Sequence, residues 1–101
     1  MIYHIVMWRW KPEIGEEEKA RRLADMETHL TGLVGRVPGL LAAKVVTAPF
    51  PSSTHDVALI TTMERAEDIN VYAAHPEHVK TADTYVRPFV CDRVCLDYDM
   101  A

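Results

Sequence analysis

The segment from Ile2 to Trp10 alternates in period two but has no polar side. His4, Val6, Trp8 and Trp10 fall on one face, and Tyr3, Ile5, Met7 and Arg9 on the other. β-Branched and aromatic residues at this density favour a strand. A strand covered on one side only carries polar residues on the second, so apolar residues on both faces predict a sheet covered twice. Lys11-Pro12 ends the run, and Glu16-Glu17-Glu18 put acidic charge where the first turn of a helix is stabilised by it. Ala20, Leu23, Met26, Leu30, Leu33, Val34 and Val37 then recur at helical spacing, opposite Lys19, Arg22, Asp25 and Thr28. That pattern predicts an amphipathic helix running to a stop at Pro38-Gly39.

Leu40 to Thr47 reads as a second strand and Pro49 to Ser53 as a turn-rich loop. Asp56 to Met63 alternates again, with Val57, Leu59, Thr61 and Met63 against Ala58, Ile60 and Thr62. A shorter helix is expected over Ala66 to Ala74. Pro76 interrupts it, a helical turn resumes at Glu77, and Pro88 closes the region. Arg93 to Tyr98 is the last strand, with Val94, Leu96 and Tyr98 opposed to Cys95 and Asp97. The order β-α-β-β-α-β predicts an α+β, ferredoxin-like fold, an antiparallel sheet with its helices on one face. Its other face would then present Ile5, Met7, Ala58 and Ile60, an apolar patch of the kind that marks an interface. A second copy laid on that face makes a shared barrel-like core, so a homodimer is expected.

Length and charge narrow this further. The 101 residues suit a single domain, 1–101, and a chain so short gains stability from a subunit interface. At 49% hydrophobic and 26% charged, the composition is that of an ordered globular chain. A net charge of −4 with no basic cluster beyond Arg21-Arg22 argues against a nucleic-acid partner or an anionic membrane surface. No apolar run approaches the roughly 20 residues of a spanning helix, and Met1-Ile2-Tyr3-His4 does not open like a signal peptide. Cys91 and Cys95 have a C-x3-C spacing that fits neither a redox pair nor a zinc pair. Both are read as buried or half-buried free thiols, and a cytoplasmic location is expected.

The candidate chemistry lies in the histidines. His29, beside Thr28 near the polar side of the first helix, and His55, in a loop, read as solvated residues. His4 is on the helix-facing side of the first strand, and His75 and His78 follow the second helix. A half-buried neutral imidazole transfers protons near pH 7, because its ordinary pKa is about 6.5. Tyr72 precedes His78, and the Pro76 break re-aims the chain between them. A phenol and an imidazole facing one cavity suit removal of an acidic C–H beside a carbonyl, with the enolate held by the phenol. Against this stands a structural role, in which His75 caps the end of the second helix at the negative end of its dipole and His78 packs on the core. Zinc on His75 and His78, with Glu77 and His4 nearby, is disfavoured because Pro76 breaks the helical alignment and no cysteine is obviously close. No metal and no cofactor is expected.

Three segments together resemble the stress-responsive A/B-barrel (Dabb) family: Tyr3-His4-Ile5-Val6-Met7-Trp8, Tyr72-Ala73-Ala74-His75-Pro76-Glu77-His78-Val79 and Arg93-Val94-Cys95-Leu96-Asp97-Tyr98. The resemblance runs from end to end. It implies a ferredoxin-like domain that dimerises through its sheet. One plant member of the family is a polyketide cyclase that performs a metal-free aldol condensation on a linear tetraketide thioester. By similarity to it, His78 is the base and Tyr72 the group that holds the thioester carbonyl, while His4 and His75 also match histidines there. Val57 stands where that cyclase has a further histidine and Met26 where it has a tyrosine, which implies a more apolar pocket.

The expected reading is therefore a small-molecule-binding dimer for an apolar carbonyl compound, with a cyclase- or aldol-type reaction at His78 and Tyr72. His4, His75, Val57, Leu59 and Met26 are the expected substrate-binding residues. The alternatives are a non-enzymatic stress-response dimer and, on fold analogy, a cofactor-free or haem-related monooxygenase. A cavity of a few hundred Å3 beside Tyr72 and His78 favours a ligand, and a closed core there favours the structural role.

Overall fold

The two most strongly alternating segments become neighbours at the centre of one sheet. The computed structural model describes residues 1–100. Its elements are β1 (Ile2–Trp10), α1 (Glu16–Thr31), β2 (Leu40–Val46), β3 (Val57–Met63), α2 (Glu67–Ala74), α3 (Pro76–Tyr85) and β4 (Val90–Asp99). The strand order is β2-β3-β1-β4, and every neighbouring pair is antiparallel. This is the ferredoxin-like α+β arrangement expected from the element order.

Register decides what each face contains. Val6 lies opposite Leu59 on one side and Cys95 on the other, and His4 lies opposite Thr61 and Asp97. The helix-facing side of β1 and β3 is buried: His4, Val6, Trp8, Val57, Leu59, Thr61 and Met63. The apolar ones among them join Met26, Leu30, Leu33 and Tyr72 in the core. The opposite side of the sheet has no helix over it in the monomer. It leaves Ile5, Ala58 and Ile60 half-buried and Met7, Val94 and Leu96 exposed. Tyr3 and Tyr98 stack on that side at 5.3 Å between ring centroids.

Several boundaries differ from expectation, each for a local reason. Helix α1 stops at Thr31, not at Val37, because the chain turns through Gly32 and then Gly35, whose φ is +89°. Leu33 and Val37 are still buried, carried into the core by turns. Ala20 and Val34 of the expected apolar stripe are exposed. The stretch after Pro76 is a ten-residue helix, not a single turn, because proline sits at its first position, where no N–H is needed. Strand β4 begins at Val90, three residues before Arg93; Asp92 with φ +55° and a register shift against Met7/Arg9 hid its start.

Gly39 also has a positive φ, +83°, and a Cβ there would lie 2.5 Å from Cγ of buried Asp68. Asp68 in turn accepts the Arg65 backbone N–H at 3.1 Å, which seats the start of α2 against the entry to β2. Among the described residues, no helix is long and apolar enough to cross a membrane.

Candidate functional site

The α2–α3 junction positions the site. The residue before a proline is pushed out of the helical region, and His75 accordingly has ψ 131° and separates the two helices. Its Nδ1 accepts the backbone N–H of Glu77 at 3.1 Å, so the imidazole caps the start of α3. His75 was expected at the negative end of the α2 dipole. It does close α2, its backbone N–H donating to the Tyr72 carbonyl, while its side chain serves the positive end of α3.

His78 follows within the first turn of α3. Its Nδ1 is 3.2 Å from the carbonyl oxygen of Ala73, in the last turn of α2, where carbonyls lack intrahelical partners. A carbonyl only accepts, so Nδ1–H donates and the lone pair of the neutral ring is on Nε2. The kink brings this ring against Tyr72, with centroids 4.2 Å apart at 40°. His4 approaches Tyr72 from β1, edge-on at 6.1 Å. Three side chains from three elements thus converge.

They converge on a cavity of about 380 Å3. Its apolar wall includes Val6, Trp8, Leu30, Leu59, Val86 and Val90; His4, Tyr72, His78 and half-buried Cys91 line it too, with exposed Arg87, Asp92 and Arg93 at its edge. This volume is in the range of small-molecule sites, which are mostly apolar with a few convergent polar groups. Leu59 lines it as expected. Met26 and Val57 do not: both are sealed in the core, at 0% and 2% exposure. His75 does not line it either, because its ring is occupied with the α3 cap.

Burial sets the protonation of the central pair. Desolvation pushes the Tyr72 phenol up to about 12, so it remains a neutral hydrogen-bond donor at physiological pH. His78 is lowered from its ordinary value, first by burial and further by the positive charges of Arg87 and Arg93, with the Ala73 bond opposing. A neutral imidazole with a free Nε2 results, the form a proton acceptor requires.

Two further residues escaped sequence reasoning. Asp97 contacts His4 Nδ1 through Oδ1, and Cys95 Sγ is 3.6 Å from the same nitrogen. Alternation had placed Cys95 and Asp97 on one face of their strand; only the β1–β4 register puts His4 across from them. Cys95 is exposed and not half-buried as expected, because β4 is an edge strand, while Cys91 is half-buried; both are free thiols. His29 is also more engaged than a solvated residue, stacking on Tyr85 at 3.7 Å.

Residues 2–100 match the model of the Stress responsive A/B Barrel Domain, and the chain belongs to this Dabb family. Solved structures similar to it have the same fold. A dimeric protein of unknown function and ferredoxin-like fold from Bacteroides fragilis superposes with a TM-score of 0.88 at 24% identity, covering 98% of this chain and 95% of that one. A Dabb family protein with a ferredoxin-like fold from Mesorhizobium loti gives 0.74 at 19% identity, over 99% and 96% of the two chains. A hydroxynitrile lyase from Passiflora edulis gives 0.71 at 20%, over 96% and 90%. At these identities the likeness concerns the fold. No curated protein matches the chain in sequence.

Proposed function

From its place in the Dabb family and the geometry of its cavity, we propose that the protein is a homodimer that binds an apolar carbonyl compound and carries out cofactor-independent, aldol- or lyase-type chemistry on it. One observation carries the reading: a phenol and a neutral imidazole, ring centroids 4.2 Å apart, on the wall of a mainly apolar cavity of about 380 Å3. His78 Nε2 takes a proton from the carbon beside the carbonyl. The C–H electron pair moves onto the carbonyl oxygen, and Tyr72 donates a hydrogen bond to the resulting enolate. His4, edge-on to Tyr72, orients the bound molecule. The hydroxynitrile lyase from Passiflora edulis, on the same fold, is compatible with carbonyl chemistry in such a frame.

Dimerisation is supported by the uncovered sheet face with Met7, Val94 and Leu96 exposed on it, and by the dimeric state of the Bacteroides fragilis protein. Two free thiols suit the reducing cytoplasm, the location that goes with this reading. The test is His78→Ala: turnover of a carbonyl substrate is abolished while the dimer persists by gel filtration. Unchanged turnover would falsify the assignment.

A second reading has an observation of its own. His75 and His78 each tie one helix end to its neighbour, His75 to Glu77 and His78 to Ala73, which suits a non-enzymatic stress-response dimer. In that case His78→Ala lowers stability by about 1–3 kcal/mol and removes no reaction.

A further inference from the structure

His4 and Asp97 stand opposite each other across the β1–β4 ladder, and Cys95 is two residues along β4, on the same face. The backbone register therefore fixes the juxtaposition. Donor atoms His4 Nδ1, Asp97 Oδ1 and Cys95 Sγ all lie within 4.8 Å of one another. The sulfur is 3.6 Å from the nitrogen and 3.6 Å from the carboxylate oxygen. A tetrahedral zinc ion, with bonds of about 2.0 Å to nitrogen and oxygen and about 2.3 Å to sulfur, sets such donors roughly 3.3–3.6 Å apart. Both edges that run to the sulfur already have that span. The third, His4 to Asp97, is a direct contact that opens by a side-chain rotation of exposed Asp97.

We propose that His4, Cys95 and Asp97 form a binding site for a zinc-type divalent cation. The donor set selects the class: imidazole and thiolate suit zinc, whereas magnesium and calcium favour oxygen donors throughout. Three protein ligands leave one position for water or a bound molecule, the pattern of open zinc sites. On binding, the Cys95 thiol gives its proton to solvent and the thiolate joins the ion. Arg93, two residues from Cys95 along β4 and on the cavity lining, puts a positive charge near the sulfur that opposes cation binding. His4 also lines the cavity, so the ion sits beside the Tyr72/His78 pair without using either side chain.

The experiment uses the full chain, stripped with a chelator and titrated with cobalt(II) and then zinc. Expected are one equivalent of cobalt with a thiolate-to-cobalt charge-transfer absorption, and its loss when zinc displaces it. Cys95→Ser abolishes the band, Asp97→Asn weakens binding roughly tenfold or more, and Cys91→Ser changes neither. Arg93→Gln tightens uptake. Cys95 and Asp97 are exposed on an edge strand, so these variants keep the fold, as circular dichroism will register. A chain that gives no charge-transfer band at micromolar free cobalt overturns the proposal, as does a band that persists in Cys95→Ser.

Discussion

The helix-covered side of the sheet has two halves built from the same kinds of element. Under α1, against β2 and β3, Met26, Met63 and Thr61 are all at 0% exposure, and Leu33 is at 2%. Toward α2 and α3, against β1 and β4, the layers enclose a cavity of about 380 Å3. The sealed half is filled by flexible and branched apolar side chains that interdigitate. The hollow half is lined by flat rings and by short residues such as Val6, Val86 and Ala82, which leave space between them. One core cluster runs through both halves, but the polar groups that can do chemistry, His4, Tyr72 and His78, line the second.

Substitutions separate the two halves, and the largest effect falls on the sealed one. Met26→Ala removes a fully buried side chain and lowers unfolding free energy by about 2–5 kcal/mol in urea titrations. Binding at the cavity, followed by Trp8 fluorescence, stays unchanged in that variant. A loss of affinity equal to the loss of stability would merge the halves into one unit. Gly39→Ala places a methyl against Asp68 at a positive φ and costs about 1–3 kcal/mol, read as a lower thermal midpoint. Tyr72→Phe does the converse. The ring still fills its place, so stability holds, while affinity for a carbonyl ligand falls by about 0.5–1.5 kcal/mol in calorimetry.

The smallest effect is in pH. His78 is lowered from its ordinary value in the folded chain, so the unfolded chain binds its proton first as pH falls. Its contribution to stability is full above about pH 6.5 and is lost as pH falls through the lower folded value. His78→Gln flattens that acid limb in unfolding titrations. A limb of the same slope in the variant would assign it to another group.

How far these halves were legible follows from the same contrast. In the sealed half β3 was readable because its residues from Val57 to Thr61 alternate between a buried and a half-buried face, whereas β2 shows no such alternation. The stripe beyond Thr31 was misread because apolar spacing records burial, and Leu33 and Val37 are buried from turns. Pro76 was read as a breaker when it opens α3. In the hollow half, Tyr72 and His78 stood out through family resemblance and their flanking proline. Arg87, Val90 and Arg93 did not, because their place on the cavity depends on where the α3–β4 connection falls. Cys95 and Asp97, 91 and 93 residues from His4, reach it only through the pairing of the first and last strands, which no local pattern encodes.

The central claim is that His78 faces a cavity in which it removes a proton beside a carbonyl. The most direct measurement is deuterium uptake at the carbon between the carbonyls of an apolar 1,3-diketone, followed by NMR in heavy water with the intact chain. The expected exchange saturates with diketone, falls by about 10²–10⁴-fold in His78→Ala, and is little changed in Met26→Ala at temperatures where that variant is folded. Exchange equal to the buffer rate, or equally fast in His78→Ala, would contradict it.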